Sequence, residues 1–168
     1  LPLEVPGYCI RDYGDDDLDA LCRLAGSKHV WRQLLDAFPH PYTAADAVRW
    51  LDEVAAQEPT TSFAIAGPAG LCGGIGVQLR QDANTAHDGE IGYWLGRPYW
   101  NRGIATAAVR AFTAWARAAF RLHRVTARVF ATNPASCRVL VKCGYRHEGT
   151  LRSAVLKEGR YVDLLIFG

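Results

Sequence analysis

From Trp100 to Ala105 the chain reads Trp-Asn-Arg-Gly-Ile-Ala, and no acidic residue follows until well beyond Ala119. A helix that opens at this point leaves its first backbone N–H groups without partners, and the aligned peptide dipoles place about half a positive charge there. Phosphate is the natural guest of such an end. The same six residues also fit an ordinary strand-to-helix turn in which Asn101 caps the helix and Gly103 relieves crowding. A second polar group lies at Asn133-Pro134-x-Ser136. Asn is a preferred N-cap, Pro suits the first helical position, and Gly144 stands where the helix would end. A side chain that caps a helix at the edge of a site still has a polar atom to offer a ligand.

These groups need elements to hold them. Ahead of the loop, Glu90 to Leu95 alternates as a strand, with Ile91, Tyr93 and Leu95 on one face and Glu90, Gly92 and Trp94 on the other. Behind it, Ile104, Ala108, Ala111, Trp115 and Ala119 predict one apolar helical stripe. Upstream, Tyr8 to Asp12 reads as a strand. A helix with acidic start Asp15-Asp16-Asp17 follows, ending near Gly26, and then a broken helical stretch over 28–35. Thr43 and Asp46 form a capping box for a helix predicted to bury Ala44, Ala47, Val48, Leu51, Val54 and Ala55. Strands at 62–66 and 70–80 flank a Gly67-Pro68-Ala69-Gly70 hairpin turn. Gly73, Gly74 and Gly76 in the second of them imply close approach by another group. A strand at 124–130, a helix at 134–143 and two more strands complete the order.

At 168 residues and 18.5 kDa, residues 1–168 fit a single domain with its own core. The N-terminal segment lacks the pattern of a signal peptide and no apolar run is long enough to span a bilayer, so a cytoplasmic protein is expected. Five cysteines show no C-x-x-C or His-paired spacing, so no metal site is expected and they read as small apolar residues. Residues 1–84 carry 6 Lys/Arg against 12 Asp/Glu, whereas residues 85–168 carry 13 against 5. A basic half suits phosphates and an acidic half a cationic amine, although two solvated faces of opposite sign would look the same. Basic residues are not interleaved with aromatics as on a nucleic-acid surface, so neither nucleic acid nor membrane is an expected partner.

Composition and periodicity alone define a mixed α/β (α+β) domain. The loop 100–105, however, resembles the acyl-CoA pyrophosphate loop of the GNAT N-acetyltransferase superfamily, whose pattern is Gln/Arg-x-x-Gly-x-Gly/Ala. Gly103 and Ala105 match, while Trp100 departs from its first position. The segments FPHPYTAADAVRWL, EIGYWLGRPYWNRGIATAA and NPASCRVLVKCGYRHEGTLR resemble the RimJ/RimL-like branch, in the same order. The resemblance implies a central, mostly antiparallel twisted sheet of about seven strands flanked by helices. It also implies acetyl-CoA as co-substrate, with direct acyl transfer to a primary amine, either a protein N-terminus or a small molecule. A fold that holds coenzyme A without turnover is the alternative, and a thiol-based redox or metal protein is a third. Oligomeric state is left open, with a homodimer as one outcome.

The resemblance further implies roles for individual residues. Asn101, Arg102, Gly103, Ile104 and Ala105 would hold the pyrophosphate, Tyr93, Trp94 and Leu95 would lie along the thioester, and Asn133 would touch the pantetheine arm. Backbone N–H groups near Trp94 and Leu95 would polarise the carbonyl, given a strand that splays from its neighbour. Glu90 is the candidate base, acting through water, with a plain ion-pair role as its rival. Ser136 is the candidate acid for the leaving thiol. Many GNAT enzymes instead place a tyrosine seven residues after the asparagine, where this chain has Leu140. A RimL-like glutamate before the last strand falls at Val155, with Glu158 out of register. Trp31 and Tyr42 would contact the acceptor as members of an aromatic group with Phe38 and Trp50, whose rival reading is core.

Overall fold

A computed structural model describes residues 1–36 and 38–168. In chain order these form β1 (Cys9–Arg11), α1 (Leu18–Ala25), α2 (Lys28–Trp31), α3 (Ala44–Ala55), β2 (Ser62–Gly67), β3 (Gly70–Leu79) and β4 (Asp88–Leu95). There follow α4 (Ile104–Ala119), β5 (Arg124–Phe130), α5 (Pro134–Lys142), β6 (His147–Lys157) and β7 (Arg160–Phe167). A single sheet runs β1-β2-β3-β4-β5-β7-β6. Every neighbouring pair is antiparallel except β4 and β5. This is the predicted α+β architecture, a seven-stranded, mostly antiparallel sheet flanked by helices.

One face of the sheet packs against α4 and α5 over a core that includes Ile65, Ile75, Ile91, Phe112, Val129 and Leu140. The opposite face of β2 and β3 carries a smaller core of Leu21, Ala47, Ala64 and Leu71, roofed by α1 and α3. The buried stripe of α4 is Ile104, Ala107, Ala108, Val109, Phe112 and Ala116. It is therefore rotated from the predicted stripe. Ala119 is exposed and Trp115 only half-buried, because Phe112, the largest fully enclosed side chain, sets the inward direction. In α3 the core contacts are Ala47, Trp50, Leu51 and Val54, while Ala44, Val48 and Ala55 face solvent. The predicted capping box forms there: Asp46 N donates to Thr43 Oγ1 at 3.2 Å, and Thr43 N donates to Asp46 Oδ2 at 2.8 Å.

The glycines of β3 are explained by their neighbours. A Cβ on Gly73 would lie 2.1 Å from the Trp94 carbonyl oxygen, and one on Gly74 would lie 2.3 Å from Tyr13 Oη and 2.7 Å from Trp94 Nε1. Gly73 lets the backbone of β4 come close, and Gly74 admits the side chains of Tyr13 and Trp94 against the sheet. No helix among the described residues is long and apolar enough to cross a membrane.

Candidate active site

The sheet opens where β4 meets β5. Their parallel pairing ends at Glu90–Thr126, yet β4 continues to Leu95 and β5 to Phe130. Beyond Glu90 the two strands diverge, and a cleft of about 1340 Å³ runs through the gap from one face of the sheet to the other. Splaying leaves backbone groups without a neighbour, and the pairing of β4 with β3 identifies which ones. Gly96 N donates to Cys72 O, and Arg80 N donates to Asp88 O. Hydrogen-bonded and non-hydrogen-bonded positions alternate along an antiparallel pair. The even-numbered residues of β4, Trp94 included, therefore turn their backbone toward β3. Tyr93 and Leu95 turn theirs into the gap. Of the groups expected near Trp94 and Leu95, the backbone facing the gap is that of Tyr93 and Leu95, while Trp94 contributes its side chain to the opposite wall.

At one end of the cleft lies the loop before α4. Asn101 has φ 58° and Gly103 φ 77°, so two left-handed residues flank Arg102 and curl the backbone into a concavity. Gly103, not Asn101, is the N-cap of α4, and no side chain caps it. Among the described residues, the N–H groups from Asn101 to Thr106 find no partner. The first turn of α4 contains no acid. Nothing lies within 4 Å of a Cβ built on Gly103, so the space above these amides is open. Their N–H groups, with Arg102, Arg138 and Lys142 on the cleft wall, fit a diphosphate. Trp100, the departure from the family pattern, has a structural job: its indole Nε1 donates to Leu95 O at 2.7 Å, which ties the loop to the end of β4.

At the floor of the gap, Asn133 Oδ1 accepts from Ser136 N at 3.1 Å, so Asn133 caps α5. Ser136 Oγ lies 2.8 Å from Tyr93 Oη, joining α5 to β4 across the opening. Burial pushes the Tyr93 phenol well above its usual range, and the bond to Ser136 only partly offsets this. Leu140 is fully enclosed in the core, so it leaves no polar group at the position where many GNAT enzymes carry tyrosine. Val155 is half-buried in β6 opposite Val162. Glu158, in the β6–β7 turn, pairs with Arg32 at 2.8 Å and Lys28 at 3.5 Å.

Glu90 lines the cleft on the other face of β4. Arg128 Nε on β5 donates to its Oε1 at 2.7 Å, and Arg80 Nη2 stands 3.5 Å from its Oε2. Its carboxylate is thus an ion-pair partner in this structure. Tyr42 also lines the cleft, together with Tyr13, Phe38, Trp50 and Trp94. Trp31 does not. Its ring stacks on His40 at 4.9 Å and receives the Lys157 ammonium at 3.7 Å, a cation–π contact that holds it against the β6–β7 turn. Sequence reasoning passed over Arg128 and Tyr13, and it gave Tyr93 no side-chain role. An arginine between Ala127 and Val129 in a strand was a signal, but its partner depended on β5 lying beside β4. Among the described residues, no three His, Cys, Asp or Glu side chains gather as a metal site would require.

A sequence model of the acetyltransferase (GNAT) domain matches residues 8–146. The chain belongs to the GNAT acetyltransferase family. Among its GNAT relatives is the uncharacterized N-acetyltransferase p20 of Bacillus licheniformis, 26% identical over 90% of this chain and 86% of that protein. The L-amino acid N-acetyltransferase AaaT of Escherichia coli (strain K12) is 25% identical over 92% of each chain. Mycobacterium smegmatis RimJ in complex with a CoA disulfide superposes with a TM-score of 0.86 at 24% identity, covering 99% of this chain and 84% of that one. It shares the fold of this chain.

Proposed function

We propose that the protein transfers acetyl from acetyl-CoA to a primary amine by direct attack within a ternary complex. The observation that carries this reading is the continuity of the cleft. It joins the free amides at 101–106 to the gap beside Tyr93 and Leu95, and then to the aromatic face around Glu90. In this reading the amine nitrogen attacks the thioester carbonyl carbon, a C–N bond forms, and the C–S bond breaks. The N–H groups of Tyr93 and Leu95 stabilise the oxygen as it gains charge. The thiolate leaves beside Ser136, whose hydroxyl, held by Tyr93, supplies a hydrogen bond and a path for the proton. The ammonium proton passes through water toward Glu90. An α-amino group titrates near about 8 and a lysine near about 10.4, so an α-amine needs the weaker base. Glu90 is the carboxylate of β4 that lines the cleft beside the gap.

The acceptor in this reading is an α-amine, either on a free amino acid, as the name of the Escherichia coli relative suggests, or on a protein N-terminus, as the name of the similarly folded RimL, a ribosomal L7/L12 alpha-N-protein acetyltransferase, suggests. A cytoplasmic setting belongs to the same reading. The test is release of coenzyme A thiol from acetyl-CoA with a set of amino-acid amides and N-terminal peptides. The second reading, a coenzyme-binding module, is favoured by Leu140, which leaves the sulfur without the usual tyrosine. Saturable coenzyme binding with no thiol release across both sets would select it.

A further inference from the structure

The acceptor face of the cleft carries a feature that acetyl transfer alone does not require. Tyr13, Phe38, Tyr42, Trp50 and Trp94 come from four separate segments and converge on one wall. Phe38 stacks on Tyr42 at 5.2 Å and meets Trp94 edge-on at 5.8 Å, and Tyr13 meets Trp50 edge-on at 6.0 Å. All five rings are half-buried. Tyr13, Tyr42, Trp50 and Trp94 each rest one side against the smaller core of Leu21, Ala47, Ala64 and Leu71, and the cleft supplies their open side. Gly92, on the same face between Glu90 and Trp94, is exposed with nothing within 4 Å of where its side chain would be. The space in front of the wall is therefore kept clear.

The charges beside the wall are already matched. Asp46 is held by Thr43 and by Arg49 at 2.5 Å, and Glu90 is held by Arg128 and Arg80. Among the described acidic residues that line the cleft, Asp46, Glu53 and Glu90, Glu53 is the most loosely held, at 3.9 Å from Arg49. A polyamine would need a row of unpaired carboxylates, and this face does not present one.

We infer that the wall selects, among primary amines, those whose amine-bearing carbon carries a bulky apolar group, an aromatic ring above all. This inference rests on the transferase reading of the same cleft and names its substrate class. The open ring edges and faces give an incoming ring offset or edge-on contacts. The amine on the adjoining carbon then lies over Gly92, between Glu90 and the gap.

The experiment measures thiol release at saturating acetyl-CoA with L-phenylalaninamide, L-alaninamide and spermidine. L-phenylalanine and a Phe-Gly-Gly peptide distinguish a free amino acid from a chain end. The expected result is a kcat/KM for phenylalaninamide about tenfold to a hundredfold above alaninamide, mostly through KM. Trp50→Ala reduces that ratio to below about threefold, and Trp50→Phe keeps most of it, in variants whose near-ultraviolet circular dichroism and coenzyme A affinity show an intact fold. Equal rates for the two amides, or a higher kcat/KM for spermidine, overturn the inference. A second measurement, titration of both amides into the CoA-loaded protein followed by indole fluorescence, must show the same preference. If no amine releases thiol, the transferase reading fails, and the apolar preference then stands or falls on this titration.

Discussion

Tyr93 Oη and Ser136 Oγ, 2.8 Å apart, join β4 to the first turn of α5 directly below the gap between β4 and β5. In the proposed reaction this pair connects the strand along the thioester to the hydroxyl that serves the departing sulfur. In that reaction Ser136 Oγ gives the thiolate one hydrogen bond, worth about 1.4 kcal/mol, so Ser136→Ala should lower kcat about tenfold. Tyr93→Phe should cost less, because Ser136 keeps its hydroxyl and loses only its orientation. The Tyr93 phenol is held above its ordinary range by burial and stays protonated through any assay between pH 6 and pH 9. The alkaline limb of kcat against pH should therefore be the same in Tyr93→Phe and wild type.

The opening of α4 gives a prediction with two opposite signs. An acid in the first turn of a helix complements the dipole by about 0.3–1 kcal/mol, and none is present in the first turn of α4. Thr106→Asp, in that turn but outside the core cluster, should therefore leave thermal stability unchanged or slightly raised. The same carboxylate would stand against a diphosphate, and its repulsion should weaken coenzyme A binding at least about tenfold, or about 1.4 kcal/mol. Calorimetric titration and thermal melts on one preparation measure both. A loss of stability without a loss of affinity would show that these amides do not hold the anion.

Glu90 can be judged by separating its two roles. A positioned base contributes about 10²–10⁴-fold, so Glu90→Gln should lower kcat about a hundredfold or more. If Glu90 only neutralises Arg128, the double variant Glu90→Gln/Arg128→Met should recover activity that the single variant loses. Steady-state rates from pH 6 to pH 9 for both variants decide between them.

Most of the frame was legible from local rules. The capping box at Thr43 and Asp46, the strand at 124–130 and the helix that starts at Pro134 all follow from neighbours within four residues. What local rules missed depended on contacts between distant segments. The stripe on α4 was rotated because Phe112 fits beneath Phe63 and beside Trp115, a fact of tertiary packing rather than of period. Trp31 was assigned to the acceptor, but the β6–β7 turn claims it through Lys157, which also donates to Leu34 O at 2.8 Å and Asp36 Oδ1 at 2.5 Å. The backbone groups that face the gap, those of Tyr93 and Leu95, were not legible because only the pairing with β3 fixes which way each peptide faces.

Asp17 supplies a stability prediction that is independent of the cleft. It is 2% exposed, and its carboxylate accepts from Arg11 Nη1 and Nη2, each at 2.7 Å, and from Gly14 N at 3.0 Å. Burial opposes its charge, but Arg11 and the Gly14 N–H outweigh that and hold its carboxyl below the usual aspartate range. An unfolded aspartate titrates near about 3.9. The contribution of Asp17 is therefore fully present above about pH 4 and is lost as pH falls through its lower, folded-state value. Arg11→Met leaves the carboxylate buried and unpaired, at a cost of about 3 kcal/mol near neutral pH, the low end for such pairs because Arg11 itself reaches solvent. In that variant protonation relieves the burial, so the dependence reverses and the gap to wild type should narrow from pH 7 to pH 3. Urea unfolding midpoints at pH 7, 5 and 3 measure the gap. Adding Asp17→Asn to Arg11→Met should close much of it at pH 7, because a neutral amide carries no uncompensated charge; a double variant no more stable than Arg11→Met would place the loss in the packing of the Arg11 stem instead.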